Sequence, residues 1–173
     1  MKRIVLFIVC IFLLPAFFAE GSTKEKNVQL IKAAEKGKLE NIQDALNDGA
    51  DVNAKDTFGW TVLMRASYGG YTRGRYAEVV KLILDKGANV NINTDEGITA
   101  LMAASSGGYS KKDIFGKALT ASESVCIEVV KLLLVKGADI NVKNRKGETA
   151  LMIAKDKGYK EIVGMLEKAG AKE

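Results

Sequence analysis

The apolar positions of this chain recur in short bursts at helical spacing, separated by polar, glycine-bearing punctuation. Leu30, Ile31 and Ala34 fall on one face of a helix expected over 28–35, and Leu39, Ile42 and Leu46 on one face of a second over 39–46. These are the three- and four-residue steps of amphipathic helices. Lys32, Glu35, Lys36, Glu40 and Gln43 cover the other sides. Further on, 78–84 and 128–134 both read Glu-Val-Val-Lys-Leu-[Ile/Leu]-Leu and are apolar on nearly every side. Only a helix sandwiched between neighbours tolerates that. The last helix is mixed again, with Lys160, Glu161, Gly164, Glu167 and Lys168 interrupting Ile162, Val163, Met165 and Leu166. Wet helices at both ends and dry ones between them describe a stack closed by two caps.

The punctuation repeats too. Gly-Ala occurs at Gly49, Gly87, Gly137 and Gly170, and Gly-x-Thr-[Ala/Val]-Leu-Met starts at Gly59, Gly97 and Gly147. A glycine after a helix supplies the left-handed residue that ends it, and Thr61, Thr99 and Thr149 are placed to cap the helices that follow. Asp51, Asn89 and Asp139, next after Gly-Ala, are expected to bond their own turn; a calcium role is disfavoured because their spacing follows the repeat and not an ion-binding loop. From Gly137 to Gly170 is 170 − 137 = 33 positions. This resembles the ankyrin repeat, whose unit is about 33 residues with a Thr-Pro-Leu-His-x-Ala helix start. The resemblance, covering Lys26 to Ala171, implies an all-α solenoid of about four helix-turn-helix units with short β-hairpin connections. Its repeats would occupy about 27–55, 56–93, 94–143 and 144–173, preceded by a polar lead at 22–26. Where the family usually has Pro and His, this chain has Val62, Ala100 or Ala150 and then Met64, Met102 or Met152, and it contains no histidine. The polar tie a histidine would make between repeats is therefore given up, and the three methionines are expected in the core.

Two units are longer than the family length. Thr61 to Thr99 is 38 and Thr99 to Thr149 is 50, exceeding about 33 by 5 and 17. Gly158 and Glu161 of the last unit correspond to Gly70 and Glu78, and to Gly108 and Glu128, so both insertions fall in the turn between paired helices, away from the hairpin tips. Thr120-Ala121-Ser122-Glu123 has the form of a capping box that would start the third unit's second helix a turn early.

Composition changes the picture mainly at the amino terminus. Met1-Lys2-Arg3 is followed by an uncharged, largely apolar run from Ile4 to Ala19, 16 residues, and then Glu20. That is the layout of a signal peptide, short of the roughly 20 residues of a membrane span. Cleavage after Gly21 is expected, with export to a periplasm or beyond; the alternative is an uncleaved anchor. Cys10 lacks the small residues a lipoprotein signal places before it. Only Cys126 would survive cleavage, so no disulfide is expected, and its apolar helix suggests a buried thiol. The net charge of +5 is spread as alternating signs along helices, which argues against a nucleic-acid surface. With 173 residues, 47% of them hydrophobic, the chain suits one compact domain, expected to be a monomer.

Candidate chemistry is sparse. Cys-His and Ser-His nucleophile pairs are excluded without histidine, and Gly69-Gly70 and Gly107-Gly108 follow helices where a phosphate loop would open one. No enzyme activity, cofactor or metal is expected. In ankyrin-like proteins the partner lies along the hairpin tips and the exposed face of each first helix. The resemblance thereby implicates Thr57, Phe58, Trp60, Arg65 and Tyr68, then Asp95, Glu96, Ile98 and Ser106, then Arg145, Lys146, Glu148 and Asp156, in binding another protein. Trp60, the single tryptophan, has two readings: a binding anchor, or packing folded back on the neighbouring hairpin. A second candidate is the inserted-loop edge with Arg73, Arg75, Lys111, Lys112 and Lys117, suited to an acidic partner or anionic head groups; the plainer reading is tolerated insertion. A membrane surface is thus the secondary expectation for a partner.

Overall fold

The computed structural model describes residues 23–69, 75–107 and 123–172, with the backbone alone of two short strands and of 123–125; the expected leader and most of both insertions lie outside the described residues. The elements are α1 (23–35), α2 (Leu39–Asn47), α3 (Val62–Ser67), α4 (Tyr76–Asp85), α5 (Ala100–Ser105), β1 (Lys111–Lys112), β2 (Ala118–Leu119), α6 (Glu123–Val135), α7 (Ala150–Lys157) and α8 (Lys160–Lys168). They form four helix pairs. The first helices α3, α5 and α7 lie side by side in one row, and the second helices α4, α6 and α8 in another behind it.

Each first helix starts in the same way. The hydroxyls of Thr61, Thr99 and Thr149 accept from the amides of Met64, Met102 and Met152 at 3.2, 3.2 and 3.3 Å, satisfying one of the amide groups that a helix start leaves without an intrahelical partner. The core runs along the seam between the rows, from Leu30 and Ile42 through Leu63, Ile83, Leu101 and Leu133 to Leu151 and Leu166. Cys126 is buried there as well.

Three sequence expectations are corrected. The methionines are not equivalent: Met64 is 0% and Met102 2% exposed, but Met152 is 40% exposed, because the described chain has no fifth unit to cover it. The amino-terminal helix, expected over 28–35, is already formed at residue 23, the first one described; Lys26 Nζ donates to the Asp48 carbonyl at 2.7 Å and Asn27 accepts from the Asp51 amide at 2.8 Å, so these polar residues tie the first pair to its own exit turn. Helix α4 starts at Tyr76, two residues before the expected Glu78, since Tyr76 is itself buried. Helix α6 does start early, at Glu123; residues 120–122 of the expected capping box lie outside the description. The longer insertion contains β1 and β2, antiparallel with Lys111 opposite Leu119 and Lys112 opposite Ala118.

The polar tie between units, thought lost with histidine, is made by asparagine. Asn27, Asn53, Asn91 and Asn141 accept from the backbone amides of Asp51, Asn89, Asp139 and Lys172 at 2.8, 2.8, 2.9 and 2.8 Å. The last three reach from one unit to the next. Asp51, Asn89 and Asp139 in turn accept from Asn53, Asn91 and Asn141, two residues on, at 2.9, 3.0 and 3.1 Å. One column of side chains thus shapes each turn and the next column locks it to its neighbour.

The carboxy-terminal unit is closed by substitution. Ser67 and Ser105, both buried, match Lys155; Leu84, buried, and Leu134, half-buried, match Glu167. Lys155 and Glu167 form an ion pair at 3.4 Å, so charge stands where inner units present residues for burial.

Candidate functional site

The hairpin tips are built by one side chain each. In the second unit Asp56 Oδ1 accepts from the amides of Phe58 and Trp60 at 2.8 and 3.0 Å, while the Asp56 amide donates to the Trp60 carbonyl at 2.9 Å. Thr94 Oγ1 accepts from Ile98 at 3.1 Å in the third unit. In the fourth, Asn144 Oδ1 accepts from Lys146 and Glu148, both at 2.9 Å. Sequence reasoning missed these organisers. The signal was present: a short acceptor residue at the same offset before Gly59, Gly97 and Gly147.

The second tip carries the richest arrangement. The other carboxylate oxygen of Asp56 accepts from Arg65 Nε at 2.7 Å and from Arg65 Nη2. With side chains 18% and 16% exposed, the pair is shielded enough for its geometry to matter more than at an open surface. The Arg65 guanidinium carbon sits 4.9 Å from the Trp60 ring centre and 6.0 Å from that of Phe58. Tyr68 meets Trp60 edge to face, 5.2 Å between centroids at 75°. Four of the residues singled out in this unit are therefore one cluster, and Phe58, 76% exposed, projects from it. Trp60 is half-buried against the core and packs on Tyr68 and Arg65 of its own unit. Thr57 is exposed beside them.

The remaining residues are placed less uniformly. Asp95 and Lys146 are exposed at their tips. Glu96 and Arg145 bind each other twice, through Arg145 N to the Glu96 carbonyl and through Arg145 Nη1 to Glu96 Oε1, both at 2.9 Å, joining the third and fourth tips. Glu148 Oε2 accepts from Asn144 Nδ2 at 2.8 Å. Ser106 Oγ donates to its own helix at Ala103 O, 2.7 Å, and Ile98 rests on the core. Asp156 is exposed and pairs with Lys157 at 3.2 Å. Of the second candidate edge, Arg75 is exposed, Lys111 and Lys112 are described only as β1 backbone, and Arg73 and Lys117 lie outside the described residues.

The first-helix positions at Arg65, Ala103 and Ile153 grade from large to small to medium across the row, as do Tyr68, Ser106 and Asp156. Tall aromatic and cationic groups stand at the second unit, and a shallower floor follows. Among the described residues no three of Cys, Asp and Glu gather to hold a metal ion.

Comparison with known proteins agrees with this architecture. A crystal structure of an ankyrin repeat domain from Acinetobacter baumannii AYE superposes with a TM-score of 0.66 and 31% identity, over 83% of this chain and 64% of that one. The 2-5A-dependent ribonuclease of Mus musculus is 37% identical over 71 residues, 40% of this chain and 9% of that protein. The chain thus spans less than two thirds of either relative, and a match to 9% of the ribonuclease does not carry its activity. The family profile of ankyrin repeats in three copies matches residues 30–115 and 118–172, and this chain belongs to the ankyrin repeat family.

Proposed function

We propose that the protein is an exported, non-catalytic scaffold that binds one partner protein along its hairpin tips and first-helix face, with Phe58 and Trp60 as anchors. Ankyrin repeats generally mediate protein–protein interaction. The observation that carries the reading to this surface is Phe58 held out in water above a Trp60–Arg65–Tyr68 cluster fastened by Asp56. An exposed aromatic on a rigid base loses little freedom on docking, and such residues dominate interface energies. Removing an anchor of this kind costs about 2 kcal/mol or more.

Export is supported by the run Ile4 to Ala19 behind Lys2 and Arg3. The same run supports a second reading, an uncleaved anchor that holds the scaffold at a membrane with its basic inserted edge. A secreted effector or toxin-neutralising binder would use the same tip surface. Among the described residues no helix is long and apolar enough to cross a membrane. Fractionation with amino-terminal sequencing separates these: a soluble chain beginning at Ser22 excludes the anchor, and a retained Met1 in the membrane fraction excludes release.

The binding reading is tested by affinity capture with the carboxy-terminally tagged chain against a Phe58→Ala, Trp60→Ala variant of unchanged helical spectrum. A protein retained by the parent and lost by the variant is the expected result. Equal retention by both would remove the tips from the role.

A further inference from the structure

The row of second helices, on the side away from the tips, contains an apolar groove of 360 Å³ between α4 and α6, lined by Ala77, Glu78, Lys81, Glu128, Lys131 and Leu132. Its cause is one small residue. In the third unit the position of Ala77 is filled by Ile127, which is 8% exposed; alanine in the second unit leaves the corresponding seam short of a side chain. Three residues beyond Leu132 on α6, Val135 is 84% exposed.

The rims are charged in a fixed order. Each wall carries a glutamate and, three residues on, a lysine: Glu78 and Lys81 from α4, Glu128 and Lys131 from α6. Three residues of helix advance about 4.5 Å. The groove therefore has an acidic end and a basic end about one turn apart, with an apolar floor between. Lys81 on this rim is held by Asp85 at 3.2 Å, and Asp85 also binds Lys136 at 3.0 Å. Among the described residues the side chains of Glu78, Glu128 and Lys131 form no ion pair or hydrogen bond, so their charges are open to an incoming group. A membrane surface would select cations alone; alternating signs over an apolar seam select a protein element of matched periodicity.

We infer that this groove docks an amphipathic helix of a partner protein, which seats an aliphatic side chain over Ala77, a basic residue against Glu78 and Glu128, and an acidic residue one turn away against Lys131. A ridge of side chains set between two packed helices is the ordinary geometry of helix packing, and the helix-in-groove mode supplies the apolar part of the affinity. This site is separate from the tips and does not depend on them.

The probe is a fluorescein-labelled, 18-residue synthetic helix with a leucine stripe and lysines one turn from glutamates, compared with a peptide of the same composition whose lysines and glutamates are exchanged. Anisotropy with the full chain should show saturable binding of the first peptide and weaker binding of the exchanged one. Ala77→Ile, which supplies the side chain the third unit already has, should weaken binding about tenfold while the thermal midpoint holds or rises. Glu128→Lys with Lys131→Glu should abolish the preference between the two peptides, and Phe58→Ala should leave binding unchanged. Binding that Ala77→Ile does not weaken, equal binding of both peptides by the parent, or no saturable signal would each overturn the inference.

Discussion

Asp56 shows how much of a surface one residue can set. Its two oxygens serve different partners, the tip amides and the Arg65 guanidinium, so substitutions dissect it. Asp56→Ala orphans both and should cost about 3 kcal/mol in urea unfolding, near the upper end for losing a half-buried charged hydrogen-bond acceptor. Asp56→Asn keeps an oxygen for the tip amides and should cost clearly less; equal losses would mean the tip bonds contribute nothing. The methionines offer a second contrast. Met102→Ala should cost about 2–4 kcal/mol by opening a cavity, whereas Met152→Ala, at the same repeat position but 40% exposed, should cost under about 1 kcal/mol. Their sequence context is nearly identical, Ala-Leu-Met-Ala-Ala against Ala-Leu-Met-Ile-Ala. Burial at this position depends on the neighbouring unit, which a local pattern does not report.

Among the elements, the tips depend on how closely they approach. Gly97 and Gly147 have the same backbone, φ of +77° and +79°, but a Cβ on Gly97 would meet Asn144 Cα at 2.9 Å while one on Gly147 would meet open space. Gly147→Ala should therefore cost about 1 kcal/mol, the left-handed penalty alone. Gly97→Ala should cost more and part the third and fourth tips, seen as faster amide exchange at Arg145. Asp85 ties the second helices of the second and third units. Hydrogen bonds first from Lys136 and then from Lys81 hold its carboxyl below the usual carboxylate range. A depressed carboxyl contributes stability that is present above the unfolded pKa and lost as pH falls through the folded value. The tie should thus be complete at neutral pH and fade only below about pH 4, with Asp85→Asn flattening that acid limb of the stability curve. The amphipathic helices and threonine caps were legible because period and cap chemistry are local. The asparagine ladder was not read, although Gly-Ala-[Asp/Asn]-[Val/Ile]-Asn stands three times in the sequence; its function lies in a bond to the next unit, a contact 36 to 48 residues away for Asn53 and Asn91.

For the whole molecule, the stack is additive in the way of solenoids, each unit buried by its neighbours. The Lys155–Glu167 pair in place of inner Ser and Leu closes the carboxy end. Restoring the inner residues, Lys155→Ser with Glu167→Leu, should enlarge the exposed apolar area there and promote self-association in sedimentation; a monodisperse variant would show that the pair is not a cap. The candidate surface was half legible. The family register pointed to Phe58, Trp60, Arg65 and Tyr68 individually, but their union through Asp56 required coordinates, since it depends on side-chain direction. Ser106 and Glu148 were picked out by the same register and turn out to bond within their own unit, a competition that spacing cannot foresee. The central claim is that a partner protein sits on the second tip, and a photo-crosslinking amino acid at position 58 tests it directly. Irradiation in the producing cells should give one discrete adduct from position 58 and none from position 40 on the outer face of α2. Adducts of equal yield from both positions, or none from position 58, would contradict it.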